Sequence, residues 1–476
     1  MTDRYEFVAI GSGPAGESAA ELAAFFGHRS AVIEKARPGG TVTTTGGVPT
    51  KTLREAALYF SGLCEGGIYG LRTAAPPEVA VDVIRKRTRE VCSLLQKATA
   101  QNIAVNDVDY IEGEASLQQD GTVRVAGSDG RERKLHAKTI LIATGSRPRR
   151  PKNISFEIPG VCDTDTILSR GRPPRDILIV GGGAVGVEFA TICHALGAKV
   201  AIADLGSRLI PAMDGELSAW MGVLFQKWGV TVYFGSTVDS VEAGDDALTV
   251  KLSKAQTLSP DTVLFAAGRV ANTEGLGLEA LGISRDSRGR IVVDGNFRTT
   301  ADGIYAAGDV VGPTLASIAM EQGRAAVCHA FGIPSEGTVD PAPVSAVYGM
   351  PEAAGSGLTE EQCREQRLEY EIGRADLACT PRGAIAGRRG LLKLIFRKQN
   401  RTLLGVHCVC DIASEIVGIG QMVIRCGGTL STIANMSMAT PTYAYAYKYA
   451  AFDGLRRIAA GKESLDESVT GLSPNV

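Results

Sequence analysis

The apolar run Phe7-Val8-Ala9-Ile10 leads straight into Gly11-Ser12-Gly13-Pro14-Ala15-Gly16. An alanine-rich stretch to Phe26 then carries the chain to a second apolar run, Ala31-Val32-Ile33, which ends on Glu34. Strand, glycine turn, helix, strand and acid in that order predict a βαβ dinucleotide-binding unit. Gly11 permits the tight turn, Gly13 lets a pyrophosphate come close to the backbone, and Gly16 lets helix and strand pack closely. Free N–H groups and the helix dipole favour phosphates at that helix N-terminus. Glu34 lies about 20 residues beyond the glycines, where a carboxylate accepts hydrogen bonds from an adenosine ribose.

The pattern recurs. Ile177-Leu178-Ile179-Val180 precedes Gly181-Gly182-Gly183-Ala184-Val185-Gly186, then a helix to His194, then Val200-Ala201-Ile202-Ala203 ending on Asp204. With 57 glycines a single such motif is weak, but two complete units are specific. They imply two dinucleotides, and enzymes that hold two pass electrons between them. Asp204 favours a free ribose 2′-hydroxyl and so NAD, whereas Arg208 is close enough in sequence to accommodate a 2′-phosphate. The preference is left open, leaning to NAD.

A chain of 476 residues is too long for one core and is expected to form two to four domains. A net charge of −2 gives no general attraction to nucleic acid or an anionic membrane. Residues 1–6 enter the first strand at once, so no signal peptide is expected, and no apolar run approaches the ~20 residues that cross a bilayer. Ten scattered cysteines suit reduced thiols, and a soluble cytoplasmic protein is the expectation. The five histidines show no zinc-like spacing, so no metal site is expected.

Residues 39–51 read as a small-residue loop that feeds a helix from about Thr52 to Ser61. Glu78 to Gln101 is a long amphipathic helix whose Arg85-Lys86-Arg87 cluster is a solvated face, and residues 110–135 suggest antiparallel strands. Thr139 to Ala143 is a buried strand, and 147–159 and 170–175 read as linkers. The second unit closes near Ala267-Gly268-Arg269. Gly303 to Asp309 is a strand followed by a glycine and an acid, and a helix spans Ala316 to Phe331. From Val344 onward strands and helices without a phosphate motif suggest a separate α+β domain.

In this order the motifs resemble the FAD-dependent pyridine nucleotide–disulfide oxidoreductases, and among them most the soluble pyridine nucleotide transhydrogenases. The likeness to the transhydrogenases lies in residues 50–56, 315–319, His407-Cys408 with 415–421, and Pro441-Thr442 with Ala446-Tyr447-Lys448. The resemblance implies an α/β fold with two Rossmann-like domains and a C-terminal α+β dimerisation domain, assembled as a homodimer. The FAD domain would occupy 1–150 and 272–341, the NAD(P) domain 151–271 and the dimerisation domain 342–476. Gly11, Ser12, Gly13, Pro14, Ala15, Gly16, Glu34, Lys35, Gly40, Thr41, Ala115, Ala143, Thr144, Gly145, Gly308, Asp309, Leu315 and Ala316 would then line FAD. Gly181, Gly183, Ala184, Val185, Gly186, Asp204, Gly268 and Arg269 would line NAD(P)H. Lys51 would sit near the flavin N5, paired with Glu188; the plain alternative is two unrelated surface charges.

The chain departs from that family where its redox disulfide should be. The two positions are Val42 and Gly47, and neither can form a thiolate. The family's His and Glu on the C-terminal segment fall at Thr440 and Tyr445, and a Thr does not shuttle protons near neutral pH as imidazole does. Hydride exchange between two nicotinamides by way of FAD needs neither pair. A reductase of another acceptor (a quinone, dioxygen, a metal ion or a metabolite) and a non-catalytic flavin-binding protein are the alternatives. Cys408 and Cys410 read as buried structural thiols. Tyr443, Tyr445, Tyr447 and Tyr449 would form two faces of a helix, binding a flat acceptor or packing at an interface.

Overall fold

The computed structural model describes residues 3–60, 77–170, 172–334 and 339–460. The first unit folds as expected: strand Asp3–Ile10, helix Pro14–Phe25 and strand Ser30–Glu34, with the two strands parallel. Strand Glu132–Ile142 lies parallel on the other side of Asp3–Ile10, and Ile304–Ala306 pairs parallel with it. Residues 304–306, far along the chain, therefore complete the first sheet. Of the region expected to be antiparallel, Asp109–Glu112 instead joins the parallel edge beside Ser30–Glu34. Gly113, at a φ of +154°, ends that strand, and Glu114–Leu117, Val123–Ala126 and Glu132–Ile142 then form the antiparallel part.

The second sheet is wholly parallel in the order Thr231–Phe234, Lys199–Asp204, Asp176–Val180, Thr262–Phe265, Val161–Asp163. Helix Ala184–Ala195 connects its central strands. Part of the stretch read as a linker is ordered pairing: Ser146–Pro148 lies antiparallel to Arg269–Ala271, so the two crossings between the units run side by side.

Two local expectations are corrected. The loop after Gly39 contains a short helix, Gly40–Thr44, and the next helix begins at Gly47 rather than Thr52. Pro49 falls in its first turn, where proline is tolerated because those N–H groups lack helical partners anyway. The expected end at Ser61 lies outside the described residues. The helix expected at 78–101 spans Pro77–Val105. Helix Ala316–Phe331 matches its expected bounds. It packs on Pro14–Phe25 so closely that a Cβ on Gly323 would lie 2.3 Å from the Ala15 carbonyl oxygen.

The C-terminal segment is a five-stranded antiparallel sheet, Ser345–Val347, Glu352–Gly357, Leu403–Cys410, Leu391–Arg397, Tyr370–Asp376. Helices Ala413–Arg425 and Ala446–Ala459 cover one face; residues 443–445, expected inside the second helix, form a 3₁₀ turn before it. Cys408 and Cys410 are buried in the sheet. The other face meets the second unit: Val347, Ala353 and Val409 share a core with Val187, Phe189 and Leu217.

That seam also holds a buried ion cluster. Lys393, with no exposed surface, places Nζ 2.8 Å from Asp214 Oδ1 and 3.1 Å from Glu216 Oε2, and it also pairs with Glu360. Asp214 caps the helix Gly215–Lys227 by accepting from the Glu216 amide, and it accepts from the Glu360 amide as well. Arg374 donates to Glu216 at 2.7 Å. The ammonium group on strand Leu391–Arg397 thereby holds two further segments, 214–216 of the second unit and Glu360 of the C-terminal part. No helix among the described residues is long and apolar enough to cross a membrane.

Candidate functional site

The two glycine turns repeat one geometry. Gly11 and Gly181 have φ of +110° and +113°, and a Cβ on either would press on the next strand, 2.4 Å from the Ala143 oxygen and 2.7 Å from the Ala266 oxygen. A Cβ on Gly16 or Gly186 would lie 1.9 or 1.8 Å from the carbonyl oxygen of Gly11 or Gly181, so helix and turn can approach only without side chains there. Gly13 and Gly183 differ: a Cβ on either meets nothing within 4 Å. Both stand at the N-cap of a helix with no side-chain cap, so the first-turn N–H groups have no side-chain acceptor from the cap residue. A dinucleotide pyrophosphate fits both places.

The two terminal acids behave alike. Glu34 Oε2 accepts from the Ser12 amide at 2.9 Å and the Ser12 hydroxyl at 2.8 Å, and Oε1 accepts from the Ala36 amide. Asp204 accepts from the amides of Gly182 and Gly206, each at 2.6 Å. Each carboxylate is thus held at the rim of its glycine turn. Arg208, the alternative phosphate partner, is engaged elsewhere. It donates to Glu361 at 2.9 Å and to the carbonyls of Pro211 and Met213.

The remaining residues expected around FAD gather at the carboxyl end of the first sheet, the edge where ligands of open α/β sheets bind. Gly40 crosses over the turn, its Cβ position 3.0 Å from the Gly13 Cα, and Thr41 follows it in the short helix. Ala143 lies beside Gly16, and Thr144 donates to the Asn272 carbonyl at 2.7 Å. Gly145 takes a φ of +66°. Asp309 accepts from the Ser146 hydroxyl at 2.5 Å and the Thr314 amide at 3.0 Å, while Arg269 donates to Ser146. The Gly308 amide donates to Gln322. Leu315 and Ala316 begin the helix that packs on the first one. Ala115 is buried on an outer strand, and Lys35 pairs with Glu114 on the surface at 3.1 Å. In the second unit, Ala184 and Val185 are exposed on the first helical turn, and Gly268 takes a φ of +99°.

Lys51 and Glu188, 137 residues apart, meet. Lys51 Nζ is 2.9 Å from Glu188 Oε2. The other Glu188 oxygen accepts from the Tyr348 amide at 2.9 Å, and the Tyr348 ring lies under Lys51 Nζ at 4.8 Å. The three residues come from the first unit, the second unit and the C-terminal domain. Tyr348, Ser146 and Asn272 escaped the sequence reading. Tyr348 contributes a backbone N–H, which leaves no signature in residue type. Burial raises the Tyr348 hydroxyl above its ordinary range, with the carboxylates of Glu352, Glu188 and Glu415 adding to it, so it stays a neutral phenol.

Positions 42 and 47 are neighbours. A Cβ on Gly47 would lie 3.2 Å from Val42 Cγ1. The tyrosines divide by exposure: Tyr443 and Tyr447 are buried, while Tyr445 and the exposed Tyr449 pack edge to face at 5.8 Å.

The comparisons with known proteins agree across the chain. The family described as pyridine nucleotide-disulphide oxidoreductase matches residues 5–323, and its dimerisation domain matches 344–451. A soluble pyridine nucleotide transhydrogenase of Mycobacterium bovis is 36% identical over 460 residues, covering 96% of this chain and 98% of the relative. One of Pseudomonas fluorescens is 37% identical over 461 residues, covering 95% and 99%. Among solved structures, the HOCl-induced flavoprotein disulfide reductase RclA from Escherichia coli, as its Cu(II) complex, superposes with a TM-score of 0.85 at 28% identity, covering 95% and 99%. LpdA from Mycobacterium tuberculosis shares the fold at a TM-score of 0.88 and 24% identity.

Proposed function

The chain belongs to the pyridine nucleotide-disulphide oxidoreductase family, whose members use FAD and NAD(P)H, and we propose that it exchanges hydride between nicotinamide dinucleotides without a redox disulfide. FAD supplies the hydride-accepting centre, N5, when bound. The observation that carries the reading is the Lys51–Glu188 pair, which joins the two dinucleotide-type units directly beside a position where a thiol is missing. Val42 and Gly47 are neighbours, a Cβ on Gly47 lying 3.2 Å from Val42 Cγ1, and neither carries sulfur, which supports the reading. The chain's own task is then to hold two flat rings in contact and keep water out, which asks for alignment rather than a protein acid. Thr440 and Tyr445 where the family has its acid–base pair fit that task. The dimerisation domain supports a homodimer.

One observation favours a second reading. A transhydrogenase between NAD and NADP must admit a 2′-phosphate, but Asp204 would repel it and Arg208 is already committed to Glu361 and two carbonyls. NADH oxidation by a different acceptor suits that geometry better. We expect NADH to reduce the bound flavin roughly tenfold or more faster than NADPH at limiting concentration, and Asp204→Ser to narrow the gap. Equal rates with both nucleotides in the wild type would show that Asp204 does not select.

Anaerobic stopped-flow tests the function. The yellow protein is mixed with NADH or NADPH and then chased with a thio-nicotinamide analogue, a quinone or air. Fast reduction and fast reoxidation by the nicotinamide support hydride exchange between dinucleotides. Reoxidation by quinone or air alone replaces it with the reductase reading, and absence of reduction leaves a flavin-binding protein. A long-wavelength thiolate band on reduction would overturn the assignment of Val42 and Gly47.

A further inference from the structure

A cavity of about 880 Å3 lies between the two units, walled by the same helices that carry Lys51 and Glu188. Pro49 and Leu53 come from one helix, and Phe189, Ile192 and Cys193 from the other. Helix Pro77–Val105 and the connection before Asp176 close the far side with Ile84 and Ile167. None of the residues expected to line FAD or NAD(P)H is among its described lining, although Ala36 and Thr44 bring its rim up to the candidate FAD site.

Its charge is one-sided. Arg37, Arg85, Arg89, Arg170 and Arg172 ring the apolar walls, and no carboxylate is among the described lining residues, although the chain as a whole carries −2. Arg85 donates to the Ser169 carbonyl at 3.3 Å, tying the far helix to the second unit across the cavity. The Arg170 Nε is buried without a hydrogen-bond partner, and buried donors of this kind are satisfied in folded proteins. Asp261 lies near enough to Arg170 to feel its charge, but the rim as a whole is positive, and guanidinium groups bind carboxylate, sulfonate and phosphate oxygens in pairs. The volume falls in the range of small-molecule sites.

We infer that this cavity binds an organic anion with an apolar body, its charged group held by the arginines and its body against Leu53, Ile84, Ile167 and Phe189. The proposal does not depend on which acceptor the flavin serves.

Calorimetric titration of the FAD-loaded protein, with NAD+ in excess, reads the site directly. Naphthalene-2-sulfonate is the probe, and naphthalene-2-sulfonamide is its uncharged counterpart of nearly equal shape. We expect one sulfonate per chain and at least tenfold weaker binding of the sulfonamide. Arg89→Gln with Arg172→Gln, both exposed positions, should weaken the sulfonate at least tenfold, and Ser93→Trp, which fills the cavity from an exposed lining position, should abolish binding. Retained FAD absorbance shows that each variant is folded. No sulfonate binding to the wild type would overturn the proposal, as would equal affinity for the sulfonamide or unchanged affinity in both variants.

Discussion

Replacing Lys51 with methionine is expected to slow flavin reduction by NADH about 10²-fold while FAD remains bound. The ammonium group lies 2.9 Å from Glu188 and 4.8 Å over the Tyr348 ring, at the seam where the two dinucleotide-type units meet. Removing it takes away the cation proposed to face the charge that develops on the flavin. It also leaves the Glu188 carboxylate, which is 6% exposed, with the Tyr348 amide as its remaining donor. A negative charge then stands where the negative nicotinamide dinucleotide must approach. None of this touches Gly11, Gly13, Gly16 or Glu34, so FAD content should hold. Lys51→Arg should recover part of the rate, because charge returns but a planar fork replaces a point charge. Single-wavelength stopped-flow at saturating NADH separates the outcomes. Unchanged reduction removes Lys51 from the site, and loss of FAD makes its role structural.

The parts of the molecule legible in the sequence are those that the backbone itself demands. Gly11 and Gly16, and again Gly181 and Gly186, are glycines because carbonyl oxygens occupy the places their side chains would take, and the strands on either side announce themselves by apolar runs. Such constraints act within about 30 residues. Lys51 and Glu188 were legible only by resemblance, since nothing local links two residues 137 apart. Where the chain crosses between units, the sequence looked like a linker. The pairing of Ser146–Pro148 with Arg269–Ala271 depends on bringing together segments more than 120 residues apart, which no local pattern reports. The pairing of Lys393, inside the apolar run Leu391-Leu392-Lys393-Leu394-Ile395-Phe396, was not legible for a related reason: its partners arrive from Asp214, Glu216 and Glu360.

That buried lysine carries the second large effect. Lys393→Met is expected to destabilise the protein by about 3–5 kcal/mol near neutral pH, because it strands buried carboxylates that the ammonium had offset. In the wild type, burial alone would raise the Asp214 carboxyl; His407, Lys393 and the Glu360 amide outweigh it and hold it at about 2. Its stabilisation is therefore present above the unfolded value, about 3.9, and lost as pH falls toward 2. Burial would lower the Lys393 ammonium, but Asp214, Glu216 and Glu360 raise it, so its contribution is complete below its unfolded value of about 10.4 and lost only as pH rises through the raised one. Burial lowers His407, so acidification below about 6.5 costs stability in its own right. In the variant the fully buried Asp214 carboxylate loses its ammonium partner and its pKa rises, so protonation relieves the strain, while Glu216 keeps Arg374. The gap from wild type should narrow from about pH 7.5 to about pH 5, although both proteins lose stability along the way. Adding Asp214→Asn to Lys393→Met should recover much of the loss, because Asp214 is the fully buried charge left unpaired and the cost lies in that charge rather than in missing volume. Thermal unfolding of the FAD-loaded proteins at the two pH values reads this as a fall in midpoint on the order of 5–10 °C for the single variant. A midpoint within a degree or so of wild type would mean that the three carboxylates do not depend on Lys393, and that the seam between the second unit and the C-terminal sheet rests on its apolar contacts instead.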